Sequence, residues 1–366
     1  MKVLHVNAGL ETGGGLFHIV NLLSQAKKEG QAFELLTLAE GPVAQAARQQ
    51  GIKTTVLGAK SRYDLTSLHR LVQFINQGHF DIVHSHGARA NLYLDLIHRR
   101  LHAKWVITVH SDPLQDFADR GLLGKAFTRL NLASLHHCDL VLAITHRFAE
   151  LLSNQAGVAP SKIQVIYNGI AFHGNSAIAS KFPHPFFNLV NVARFEKVKG
   201  QALLLRALKQ TGDPNIHLHL AGSGSQEQEL HDLVRDLGLN EQVIFHGFLS
   251  HAELGQLYRK MDAAILASYS ESFPLVLLEA ADHLLPLIAT NVGDMHAMIP
   301  AADHGLIVPV GAQDKLAQAM RQMAASPAVE RSKMVLTEKD YLQSHFSLQQ
   351  QLSTILHDYE LLGRRD

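Results

Sequence analysis

The strongest constraint in this chain is an alternation. Thirteen short apolar runs recur along its 366 residues, separated by segments of helical periodicity. The first seven are KVLHV, FELLTLA, KTTVLG, DIVHSH, KWVITVH, DLVLAIT and IQVIYNG. Six more follow: FNLVNVAR, HLHLAGSG, VIFHGFL, AAILASY, LPLIATN and GLIVPV. Many are continuous in Val, Ile and Leu, which marks parallel strands covered on both faces. Strand–helix–strand repetition gives right-handed crossovers in open, doubly wound α/β sheets. The series restarts near 172–187, where AFHGNSAIASKFPHPF lacks periodicity and reads as a linker. Two Rossmann-like domains are therefore expected, 1–170 and 171–346. The amphipathic C-terminal helix within 347–366 is expected to pack back on the first.

Composition narrows the class. A content of 46% hydrophobic and 18% charged residues is that of a soluble globular enzyme. The single cysteine, Cys138, excludes an intramolecular disulfide framework. No apolar run approaches the roughly 20 residues needed to cross a bilayer, and MKVLHVNAGL is no signal core. A cytoplasmic chain is expected. Net charge is zero but uneven: residues 1–170 carry 17 Lys/Arg against 12 Asp/Glu, and 171–366 carry 16 against 21. A basic first half suits an anionic partner, either a membrane surface or a phosphorylated acceptor, and no nucleic-acid partner is expected.

Paired doubly wound domains create a cleft lined by strand C-termini and helix N-termini, where free N–H groups favour phosphates. Several motifs fall at such junctions. Gly13, Gly14 and Gly15 follow the first strand; they form either a structural turn or a loop against a diphosphate or acceptor, and they do not supply the dinucleotide fingerprint. Arg194 follows one strand and Lys199 precedes a helix, a fork and a point charge suited together to a diphosphate. Gly222 and Gly224 mark a second strand–glycine–helix junction. His84 and His86 alternate on one strand, and His110 ends the next. A structural role is expected for His84 and a substrate contact for His110. No carboxylate or thiolate sits at ligand spacing beside them, so no metal is expected.

SESFPLVLLEA at 270–280 is the most informative stretch. Pro274 sits where helices begin, so Glu271 lies just outside the helix and Glu279 on it, sharing a face with Leu275 and Val276. A carboxylate among apolar residues needs a donor. That donor is either His283, one turn on, or the paired hydroxyls of a sugar or ribose.

Taken in order, these motifs resemble the family 4 retaining glycosyltransferases of GT-B fold over nearly the whole length. The resemblance rests on GGG at 13–15, HSHG at 84–87, TVH at 108–110, VIYNGI at 165–170, ARFEKVKG at 193–200, AGSGSQ at 221–226, FHGFL at 245–249, ESFPLVLLEA at 271–280, TNVG at 290–293 and GLIVP at 305–309. It implies transfer of a hexose-type sugar from a UDP- or GDP-linked donor to a glycan or lipid-linked acceptor, with no cofactor. Arg194 and Lys199 would hold the diphosphate and Glu271 the donor sugar. Backbone around Phe273, Pro274 and Leu275 would touch the phosphates, and Glu279 the ribose. Gly222 and Gly224 would join the donor site, His110 would lie beside the transferred sugar, and the Gly14–Gly15 loop would cap diphosphate and acceptor. Gly13, His86 and Arg89 would face the acceptor.

The chain also departs from the family pattern. Leu284 stands where a glycine usually ends the helix in a left-handed turn, so an altered turn is expected. Asp294 and Ala297 replace a glycine and a glutamate tied to sugar recognition. An epimerase of the same architecture and a non-catalytic binding subunit are the alternative functions. RGLLGKAFTRLNLASLHH at 120–137 is either a core helix with a solvated basic face or a helix resting peripherally on the anionic inner face of the cell membrane.

Overall fold

The computed structural model describes residues 1–11, 13–58, 66–117, 121–173 and 185–364. Most of the expected linker, 174–184, lies outside the described residues. The chain forms two compact units, one of Met1–Gly169 with Leu348–Asp366 and one of Ile170–Ser347.

All thirteen apolar runs form strands. In the first unit these are β1 (Lys2–Asn7), β2 (Ala32–Thr37), β3 (Thr54–Val56), β4 (Ile82–His86), β5 (Lys104–Val109), β6 (Leu140–Ala143) and β7 (Ile163–Val165). They make one parallel sheet in the order β3-β2-β1-β4-β5-β6-β7. The second unit holds β8 (Phe187–Val192), β9 (Ile216–Ala221), β10 (Val243–Gly247), β11 (Ala263–Leu266), β12 (Leu287–Thr290) and β13 (Leu306–Val308). Their order is β10-β9-β8-β11-β12-β13, again parallel. Counted within each unit, both begin 3-2-1-4-5-6, the Rossmann order. The direction of winding reverses between β1 and β4, and between β8 and β11, which is where open α/β sheets bind ligands.

Side-chain alternation divides the first sheet into two cores. Leu4, Val6, Leu36 and Val83 enter one apolar cluster, whereas Val3, Leu35, Ile82 and Val106 enter the other. The helices Gly14–Lys28 and Leu348–Gly363 cover the second face. The latter inserts Leu352, Ile355, Tyr359 and Leu362, spaced three or four apart as one helical stripe. Each such side chain contributes about 1.5–3 kcal/mol on burial, enough to hold this last helix to a sheet formed far earlier in the chain.

In the second unit, the helix Leu275–Asp282 follows Pro274, as the sequence predicts. Its end corrects one expectation. Leu284 keeps the left-handed conformation, with φ of 60°. The Leu285 N–H donates to Ala280 O and that of Leu284 to Ala281 O, both at a Schellman turn. The leucine therefore carries strain that glycine would not. Lys339, from the helix Ala328–Phe346, secures the same terminus: its ammonium lies 3.1 Å from the Asp282 carboxylate and donates to the Asp282 and His173 carbonyls.

Candidate donor site and a buried histidine cluster

The residues expected on the donor side lie in the segments that follow β8, β9, β11 and β12. Lys199 closes a short 3-10 turn, Lys197–Lys199, ahead of the helix Gln201–Thr211. Its Nζ lies 2.8 Å from both carboxylate oxygens of Glu271, and Ser268 Oγ donates to Glu271 Oε1 at 2.6 Å. Both side chains of this pair are largely buried, at 18% and 10% exposure. Thr290 Oγ1 donates to the Ser268 carbonyl, tying β12 to the same loop. Glu271 thus neutralises Lys199, a pairing that the sequence reading did not anticipate. Arg194 is exposed, and its guanidinium has no hydrogen bond or ion pair among the described residues.

Glycines let the loops approach one another. At Gly222, whose φ is 141°, a Cβ would stand 2.0 Å from the Ala193 carbonyl oxygen, and at Gly224 within 2.8 Å of the Phe195 backbone. These contacts hold the loop that carries Arg194. Gly293 packs against the carbonyl of Glu271. Asp294 then starts the short helix Met295–Met298, which contains Ala297.

Glu279 is half-buried on Leu275–Asp282, as are Leu275 and Val276. Burial raises its pKa, opposed by the charge of His251. His283 does not satisfy the carboxylate: its Nδ1 meets the Glu279 carbonyl, at 2.8 Å. Among the described residues the Glu279 carboxylate has no hydrogen-bond or ion-pair partner. Phe273 is buried. The Leu275 N–H already donates to the Phe273 carbonyl at 3.1 Å, so it is engaged rather than free for a phosphate.

In the first unit, Gly13, with φ of 67°, precedes the helix Gly14–Lys28, and Gly14 faces open space. The carboxylate of Glu11 fills the room above two other glycines: a Cβ would lie 3.0 Å from Oε2 at Gly15 and 2.2 Å from Oε1 at Gly87. Burial raises the Glu11 pKa, and a hydrogen bond from Asn7 opposes the shift. Asn7 in turn accepts from Gly9 N–H and donates to the His86 carbonyl. Sequence reading missed Glu11, Asn7 and Ser268, since none belongs to a spaced motif. The signal for Glu11 is tertiary, from glycines 72 positions apart.

Beneath this loop lies a cluster of histidines. The sheet register pairs His5 with His84 and His86 with Thr108, so these side chains share one face. His18 comes from the covering helix. His5 Nδ1 lies 2.9 Å from His86 Nε2, and His86 Nδ1 lies 3.1 Å from His110 Nε2. His84 is satisfied by Tyr359 Oη and Thr108 Oγ1, the structural role expected of it. His18 Nδ1 meets Asn168 Oδ1 at 2.7 Å. Desolvation lowers all five pKa values, to about 3 for His5 and about 4 for His18, and neighbouring imidazoles add to this for His5, His84, His86 and His110. The imidazoles are therefore neutral at pH 7. Arg89 is half-buried on Ala88–Asp95 and lies 5.8 Å from the Tyr93 ring centroid.

The helix Gly121–His137 presents Leu122, Leu123 and Leu130 to solvent at 84%, 71% and 50% exposure, beside exposed Lys125 and Arg129. No helix among the described residues is long and apolar enough to cross a membrane.

Two family models match complementary halves of the chain. Residues 12–172 match Glycosyltransferase Family 4, and residues 177–339 match Glycosyl transferases group 1. The putative glycosyltransferase EpsF of Bacillus subtilis is 26% identical across 100% of this chain and 98% of its own length. The D-inositol 3-phosphate glycosyltransferase 1 of Catenulispora acidiphila is 25% identical over 69% of this chain and 65% of its own length, so the match spans just under two thirds of that relative. Among solved structures, Anabaena HepE in complex with UDP superimposes with a TM-score of 0.84 at 19% identity, covering 99% of this chain and 100% of that one. A glycosyltransferase from Rickettsia africae superimposes with a TM-score of 0.81 at 18% identity, covering 100% and 99%. With both halves matched and the fold reproduced end to end, the chain belongs to the family 4, group 1 glycosyltransferases of GT-B architecture.

Proposed function

We propose that this protein moves a hexose-type sugar from a nucleotide diphosphate sugar to a glycan or lipid-linked acceptor in cell-surface glycan synthesis. The observation that carries this reading is the Lys199–Glu271–Ser268 constellation at the reversal point of the second sheet, beside the unpaired Arg194. Breaking an anomeric C–O bond leaves positive charge on the sugar and negative charge on the departing diphosphate. Cations at that phosphate are worth most as its charge develops. Arg194 meets the diphosphate directly. Lys199 is shared between the diphosphate and Glu271, whose oxygens then turn to donor-sugar hydroxyls. Glu279, lacking a protein donor, takes the ribose hydroxyls. The glycines at 222 and 224 shape the donor loop, and Pro274 starts the helix that carries Glu279.

The nucleotide is UDP or GDP. The UDP complex of the structural relative HepE supports a nucleotide-bound site on this fold. We assign retention of anomeric configuration: the departing phosphate takes the acceptor's proton on the same face, and Arg194 with Lys199 supplies the charge stabilisation at the diphosphate that a metal ion supplies elsewhere. In the first unit, we assign His110 to the transferred sugar, Gly13, His86 and Arg89 to the acceptor, and the Gly14–Gly15 loop to the diphosphate and acceptor together. The exposed leucines and cations of Gly121–His137 suit peripheral contact with an anionic membrane.

Labelled nucleotide sugars offered with lipid and glycan extracts test this. The expected result is acceptor-dependent release of nucleoside diphosphate and a product of unchanged anomeric configuration by NMR. Conversion of the donor sugar without any acceptor would overturn it, as would an inverted product for the retaining assignment.

A further inference from the structure

We propose that His18, His86 and His110 form a binding site for a divalent transition-metal ion of the zinc class within the first unit. One ring nitrogen from each of these three residues lies within 4.8 Å of the others. His18 and His86 are buried, whereas His110 is half-buried and gives the group one open side. Three imidazoles with a fourth position left for water or an oxygen ligand is a standard arrangement for a borderline metal.

Two independent observations mark these residues as ligands. His18 Nε2 is buried and has no hydrogen-bond partner. Its Nδ1 lies 2.7 Å from Asn168 Oδ1 and 3.3 Å from Gln351 Nε2; the shorter contact, to an acceptor, places the proton on Nδ1 and leaves a lone pair on Nε2. An unmet acceptor in the interior costs stability unless something occupies it. Secondly, the outer shell is already built. Asn168 orients His18, and His5 Nδ1 lies 2.9 Å from His86 Nε2, so His86 can donate there while its Nδ1 turns to the ion.

Geometry selects this triad over the others. Nitrogens bound at roughly 2.0–2.1 Å around a tetrahedral ion stand about 3.3 Å apart. His86 Nδ1 and His110 Nε2 are already at 3.1 Å, and their mutual hydrogen bond is the one contact the ion would replace. The neighbouring group His5, His84 and His86 is wholly buried, and both nitrogens of His84 are committed to hydroxyls. The group Asp95, His98 and His137 is more open, and its carboxylate already pairs with His137 at 2.7 Å. Burial keeps the imidazoles neutral, the form that binds metal. The site shares His86 and His110 with the acceptor-side reading above, and metal binding tests it separately from sugar transfer.

Untagged full-length protein, titrated with Co2+ and separately with Zn2+ at neutral pH, tests it. The expected result is one equivalent of metal retained on dialysis, with visible cobalt bands of a four- or five-coordinate nitrogen site. The melting temperature should rise with zinc concentration. His18→Ala should abolish the bands, and Asn168→Ala should weaken binding about 10- to 100-fold through the lost orientation. His98→Ala should change neither. If His18→Ala fails to fold, the half-exposed His110→Ala carries the same expectation. Absence of stoichiometric metal in the wild type, persistence of the bands in a folded His18→Ala or His110→Ala variant, or their loss in His98→Ala would each overturn the site.

Discussion

At the scale of single residues, the decisive contrast is between Lys199 and Glu279. Lys199 is answered within the protein by Glu271, whereas Glu279 is half-buried with no donor. A carboxylate so placed gains hydrogen bonds when a ligand brings donors. Glu279→Ala should therefore weaken nucleotide binding about 10- to 100-fold, equivalent to roughly 1.5–3 kcal/mol of charge-assisted hydrogen bonds, with little loss of thermal stability. Calorimetric titration with UDP and GDP checks this, and unchanged affinity for both would remove Glu279 from the ribose. Lys199→Met should do more than delete a cation. It strands the Glu271 carboxylate, which keeps Ser268 as a donor, so turnover should fall strongly and the protein should lose stability as well. Turnover and melting measured together on one variant check both effects.

At the scale of elements, the helix Leu275–Asp282 concentrates the unusual features of the second unit. It begins at Pro274, carries Glu279, ends at the buried Asp282–Lys339 pair, and closes through a left-handed leucine. Leucine in that conformation costs about 1–2 kcal/mol relative to an unstrained position. Leu284→Gly should therefore raise stability, by up to about 1 kcal/mol once the half-buried side chain's lost contacts are subtracted. A denaturation midpoint that falls would show that those contacts outweigh the strain. The presence of a helix here is legible from Pro274 and the apolar stripe. Its turn is not, because a leucine at that position signals departure, and tertiary packing on both sides enforces the left-handed geometry regardless.

At the scale of the whole molecule, buried groups in the two units should contribute to stability with opposite pH dependence. In the first, His5 and His18 stay neutral down to about 3 and about 4, while the unfolded chain protonates near 6.5. The unfolded state binds more protons in that interval, so stability from these groups is complete above about 6.5 and declines as pH falls toward 4. In the second unit, Glu338 is buried with neither carboxylate oxygen hydrogen-bonded, and burial raises its pKa well above 4.5. Its folded form keeps a proton that the unfolded chain releases, so it erodes stability as pH rises above about 4.5. Glu338→Gln should raise the melting temperature at pH 8 and leave it nearly unchanged at pH 4. Calorimetry at both values checks this, and an equal shift at both would point to packing rather than ionisation.

The sequence by itself determined the thirteen strands, their parallel sheets, the restart that yields two units, and the junctions where Arg194, Lys199, Gly222 and Glu279 sit. These follow from local periodicity and from strand-end chemistry, which a short window contains. It did not determine that Glu271 neutralises Lys199 across 72 positions, or that Glu11 lies above both Gly15 and Gly87. Nor did it show that His18 would meet Asn168, Gln351, His86 and His110, or that Tyr359 would meet His84. Those encounters depend on sheet register and on the last helix returning to the first sheet, and only the folded chain brings such distant residues within reach of a hydrogen bond.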